Sequence, residues 1–169
     1  AVSGVLHLSV VIGAVLGFVL ALIHKGPPQA QSYPAMEALH VAGIVDVAHM
    51  MTGVGGKGRG MENAQALAQF YNRTRPGRIV NFSMFIHREA PLYRLVEEGR
   101  FVPADELENL REERALLEQL EIPVDYDGFH DIIPFRVRGM LPAAREKMLE
   151  KLDNAIQVQQ QKPPLVAVV

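Results

Sequence analysis

Cysteine and tryptophan are both missing from this 169-residue chain. Without a thiol there is no disulfide, no cysteine nucleophile, no thiolate-held zinc or iron–sulfur cluster and no covalently attached c-type haem. A large net charge is missing too: 17 Lys and Arg stand against 19 Asp and Glu, a formal charge of −2. No bulk basicity therefore points to nucleic acid. HEXXH-type metal motifs and a nucleophile elbow are lacking as well, and no internal repeat is present. A chain of this length is enough for one domain with a real hydrophobic core.

Charge is also absent from one long stretch near the front. From Val5 to Ile23 there is no Asp, Glu, Lys or Arg, and only His7 and Ser9 are strongly polar. A helix over these residues spans roughly 28 Å, close to the roughly 30 Å hydrocarbon thickness of a bilayer. A soluble helix would show a polar stripe at period 3.6, and this one is apolar all round. A secretory signal would carry a basic leader and a small-residue cleavage site, and neither stands here. The pattern predicts a transmembrane helix. Within it Gly13, Ala14, Gly17 and Ala21 form a small-residue stripe of GxxxG type, expected to pack against another membrane helix. His7, near one end, is expected to make an interfacial hydrogen bond rather than to ligate a cofactor. With His24 and Lys25 following the span, the positive-inside rule places the rest of the chain on the cytoplasmic side, on the strength of one lysine.

Residues 26–35 hold three prolines among small polar residues and read as a stiff, extended neck. Beyond it, Met36–Met51 is apolar with Glu37, His40, Asp46 and His49 interspersed, and reads as one helix ended by Gly53, Gly55, Gly56, Gly58 and Gly60. Met61–Arg73 carries Ala64, Leu67, Ala68 and Tyr71 at helical spacing. Arg78–His87 is the one good strand candidate, and Pro91–Glu98 a short helix. Ala104–Glu121 is the clearest amphipathic helix, with Leu107, Leu110, Leu117 and Leu120 as its apolar stripe. Ile122–Gly139 reads as irregular with room for a short strand. Leu141–Gln159 closes the domain as a helix, through Leu141, Ala144, Met148, Leu149, Leu152, Ala155 and Ile156. An extended tail follows from residue 160.

Three groups of residues invite chemistry. TGVGGKGRG (Thr52–Gly60) has the glycines and cations of a phosphate cradle. It lacks the Walker spacing, and the segment before it reads as a helix, so a flexible loop is the expectation. His40, Asp46, His49, His87, Glu89, His130 and Asp131 are the histidine and carboxylate candidates. On one helix His40 and His49 would lie on opposite sides, and these residues read as ordinary structural or surface groups. Charge is also segregated. Lys57, Arg59, Arg73, Arg75 and Arg78 make residues 57–78 net +4, a possible anion or partner contact, while residues 97–121 are net −6.

The sequence thus predicts a mostly α protein: a single transmembrane helix (1–25), a neck (26–35), a small α-rich, minor α+β extramembrane domain (36–159) and a tail (160–169). The expected role is a non-catalytic accessory or scaffold subunit of a membrane complex. It would use no cofactor and no metal. Its partners would be other transmembrane subunits and the lipid bilayer, with Leu107, Leu110, Leu117 and Leu120 as a partner face. The alternatives are a membrane-anchored enzyme built on the His and carboxylate groups, or a module gripping anionic lipid or nucleic acid through residues 57–78.

Overall fold

The computed structural model describes residues 29–169. Helix α1 (Gln29–Val41) contains Pro34 and stops where glycine permits a left-handed turn. Gly43 takes φ +67, its N–H bonds His40 O, and Ile44 N–H reaches back to Leu39 O at 2.9 Å. The chain then enters strand β1 (Val47–Thr52). A glycine-rich turn leads into α2 (Gly60–Thr74), closed by Arg75 in the left-handed region with its N–H on Tyr71 O. Strand β2 (Arg78–Ser83) follows. Helix α3 (Pro91–Glu97) starts on proline, whose missing N–H costs nothing at a first turn. Helix α4 (Glu106–Gln119) starts on a capping box, Asp105 with Glu108. Strands β3 (Val124–His130) and β4 (Phe135–Leu141) form a hairpin, and α5 (Arg145–Gln160) ends the regular structure.

The sheet order is β1-β2-β3-β4. β1, β2 and β3 are parallel, with Val47 opposite Arg78 and Arg78 opposite Asp125, and β4 runs antiparallel with Leu141 opposite Val124. Parallel neighbours need a crossover, here α2 and then α3 with α4. Because α2 packs on α4, and α4 on α5, these helices share one face of the sheet. The main core lies between them and that face. It includes Met50, Leu67, Phe70, Tyr71, Ile79, Leu110, Leu116 and Tyr126. The tail is extended and pairs Val168 with Ile86.

These observations correct the reading of a mostly α, single-pass membrane protein. The described chain is an α/β domain with a four-stranded sheet. Among the described residues no helix is long and apolar enough to cross a membrane. The apolar stretch itself, with Gly13, Ala14, Gly17 and Ala21, lies outside the described residues. Met36–Met51 is not one helix, since Gly43 ends α1 and residues 47–52 pair in the sheet. The segment Ile122–Gly139 is not irregular but carries most of β3 and β4. Of the four leucines on α4 and at its end, Leu110, Leu117 and Leu120 are fully buried in the domain's own core, and Leu107 is half-buried.

Candidate functional site at the bare sheet face

Side chains alternate across a strand, so the sheet has two chemically different faces. The helix-covered face is apolar at its lower end and polar at the carboxyl ends of β1–β3. There Glu106, Glu112 and Glu113 of α4 are all 0–1 % exposed. His130, at the end of β3, places Nδ1 on Glu106 Oε1 and Nε2 3.0 Å from Glu113 Oε2. With a carboxylate at each nitrogen the ring carries both protons as an imidazolium. Burial works against that charge, but the hydrogen bonds to Glu106 and Glu113 outweigh it and push the pKa up to about 9. The other oxygen of Glu113 accepts from Tyr126 Oη at 2.8 Å and Asn81 Nδ2 at 3.0 Å. Gly128 makes room for it: a Cβ there would lie 1.8 Å from Glu113 Oε1. His130 is therefore an internal ion-pair partner, with neither nitrogen free for a substrate.

Glu112, next to Glu113 on α4, does a related job. Its carboxylate accepts from Gly53 N–H at 3.0 Å and from Asn63 Nδ2. Burial lifts it to about 7 against those hydrogen bonds. The glycine-rich turn is thus stapled to α4. Glu108 Oε1 takes the Gly58 N–H at 2.9 Å, and Val102 O takes that of Lys57 at 2.8 Å. A strand does precede this loop, as a phosphate cradle requires. Yet these amides, which a phosphate would need, are held by the protein's own acceptors. Among the described residues no group of three or more His, Asp or Glu side chains is arranged to hold a metal ion.

The other face has no helix of the main core upon it. Its upper row, at the carboxyl ends of the parallel strands, runs Met51, Phe82, Phe129, Arg136 across the four strands. The Phe82 and Phe129 rings stack with centroids 6.1 Å apart and planes at 24°. Below them Asp127 is clamped between Arg78, at 2.9 Å, and Arg136, whose Nε and Nη2 lie at 2.8 and 2.7 Å. The Arg136 hydrogen bonds, followed by those of Arg78, hold the Asp127 carboxyl below its usual range despite some desolvation. Arg136 itself remains 53 % exposed in its side chain. Stacked rings flanked by a fixed guanidinium suit a small, partly planar molecule with an acidic group.

The residues singled out in the sequence do not gather at this face as a group. Lys57 and Arg59 sit in the turn before α2, whereas Arg73 and Arg75 lie at its far end, about 22 Å away along a 15-residue helix. Arg59 pairs with Glu62, and Arg73 lies over the Tyr33 ring at 4.0 Å. Arg78 alone of the five reaches the bare face. His40 lies 3.5 Å from Asp46, whose other role is to accept from Gly77 N–H. His49 projects from β1 to the bare face by alternation. His87 packs edge-on to Phe85, and Glu89 and Asp131 are exposed surface residues. Phe82, Phe129, Asp127 and Arg136 were not legible as a group, because only the strand register brings them together.

No protein-family model matches the chain, and no curated protein matches it. Among solved structures the chain is similar to the archaeal Methanocaldococcus infernus Elp3 with an N-terminal deletion. The TM-score is 0.63 at 12 % sequence identity, over 95 % of this chain and 37 % of that one. At that identity the likeness concerns the fold alone, and this chain spans little more than a third of the other's length.

Proposed function

We propose that this chain is the ligand-facing part of a singly wound α/β enzyme, its site on the bare sheet face at the carboxyl ends of β1–β3. One observation carries the reading: α2, α4 and α5 share one face, while α3 packs beside Met51 at the β1 end of the other, which is left with aromatic and paired charged side chains over β2–β4. In an open doubly wound sheet the helices divide between the two faces, whereas in barrel-type winding they all lie outside and the inner face meets the ligand. In both arrangements ligands bind at the carboxyl ends of the parallel strands. The upper row Met51–Phe82–Phe129–Arg136 stands at that edge. The fold likeness to a segment of a longer chain supports the same reading. Phe82 and Phe129 would hold the flat part of the ligand and Arg136 its acidic group, while the Glu106–His130–Glu113 cluster fixes the strand ends behind them.

Amide chemical-shift mapping of the full chain against a library of small aromatic carboxylic acids tests this. The expected perturbations cluster at Met51, Phe82, Phe129 and Arg136, and disappear in Phe82→Ala with Arg136→Gln. Perturbations confined to the helical face, or none that saturate, would overturn the proposal and favour a scaffold role.

A further inference from the structure

The free edge of the sheet carries a second feature. Between β4 and α5 lies a cleft of about 520 Å³, lined by Arg136, Arg138, Lys147 and Lys151 over an apolar floor that includes Val137 and Met148. Its four charged lining residues are all cations. Like charges do not converge on one concavity without cost, since each raises the energy of the next. Two have other roles: Arg136, held by Asp127 through Nε and Nη2, serves the bare face, and Lys151 donates to Arg136 O at 2.6 Å. Arg138 and Lys147 have no acidic partner among the described residues. Lys147 and Lys151 stand four residues apart, on one side of α5. The acids of the same helix, Glu146 and Glu150, do not line the cleft.

We infer that this cleft is a binding site for a phosphorylated small molecule carrying at least two negative charges. The volume falls within the range of small-molecule pockets, about 300–1,000 Å³. The floor takes the apolar body of the ligand, and Lys147 with Arg138 takes the phosphoryl oxygens. The ammonium acts as a point charge and the guanidinium can bind two oxygens at once. The site lies on the β4–α5 side of the domain and depends on no residue of the Phe82–Phe129 pair.

Calorimetric titration of the full chain with inorganic pyrophosphate tests the assignment. Pyrophosphate should bind saturably, and Arg138→Glu with Lys147→Glu should weaken it by about tenfold or more, since charged contacts are lost and reversed. Lys147→Gln, a milder change, should weaken it by a smaller factor while leaving the unfolding transition in place. Lys57→Glu with Lys162→Glu alters net charge equally at a distance and should change affinity by no more than about twofold. Equal weakening in the two double variants, or no saturable binding to the parent chain, would overturn the site. Citrate binding as tightly as pyrophosphate would overturn the phosphoryl assignment.

Discussion

The two faces of one four-stranded sheet handle charge in opposite ways. On the covered face, Glu106, Glu113 and His130 have side chains with 0 % exposure, and their hydrogen-bonding atoms are spent on one another and on Asn81, Asn109 and Tyr126. On the bare face, Asp127 is shielded only by two arginines whose own side chains are 43 % and 53 % exposed. A buried ionic cluster is costly to disturb, because any group left behind is an uncompensated charge in a poorly polarisable medium. An exposed pair is screened by water and contributes little to stability. The covered cluster is therefore architecture, and the bare face is where charge can be turned toward a ligand without unfolding the domain.

The largest effect is expected from Glu113→Leu. It leaves the imidazolium of His130 with Glu106 alone and strands the hydroxyl of Tyr126, and should cost about 3–5 kcal/mol in denaturant unfolding. Next comes pH. His130, with a folded pKa raised from 6.5 to about 9, contributes stability that is complete below pH 6.5 and lost as pH rises through about 9. Glu112, raised from 4.5 to about 7 by burial, acts in the same sense, because the native state holds its proton more tightly than the unfolded chain. Stability from the covered face should thus fall between pH 4.5 and 9, and Glu112→Gln should remove the lower part of that slope. The bare face runs the other way: the lowered pKa of Asp127 contributes stability above 3.8 that is lost on acidification. Unfolding free energies measured across pH separate the two.

Gly128→Ala is expected to rank below these. Its Cβ would meet Glu113 Oε1 at 1.8 Å and Tyr126 Cε1 at 2.9 Å, an overpacking cost of about 1–3 kcal/mol. The smallest effect should come from Asp125→Asn on the bare face. Its 3.5 Å pair with Arg78 joins side chains that are 41 % and 43 % exposed, so the loss should stay within about 0.5 kcal/mol. A cost above 2 kcal/mol there would mean that the bare face is as closed as the covered one.

Local patterns reached the helices and stopped at the sheet. Met61–Arg73, Pro91–Glu98 and Ala104–Glu121 were legible because their signals are near neighbours: a proline start, and alanines and leucines at helical spacing. Strand β2 was legible from its run of Ile, Val and Phe. β1 was missed although its boundary was written in Gly43, a helix-ending glycine inside an otherwise apolar stretch. β3 and β4 were missed because VDYDGFH and FRVRGML contain aspartates, arginines and glycines that suit strands only in company. Asp127 needs Arg78 and Arg136, and Gly128 needs Glu113. The same holds for α4, whose Glu112 and Glu113 look like a solvated face. Their partners Gly53, Asn63, Asn81 and His130 lie 17 to 59 residues away. Tertiary pairing of this kind leaves no periodic trace.

Hydroxyl-radical footprinting of the native full chain tests the central claim, that one face of the sheet is sealed and the other open. Phe70 and Tyr126, both at 0 % exposure beneath the helices, should be protected until the chain unfolds. Phe82 and Phe129, half-buried on the bare face, should be oxidised in the folded protein, and a ligand bound there should suppress that oxidation. Protection of Phe82 and Phe129 equal to that of Phe70 in the ligand-free protein would contradict the account.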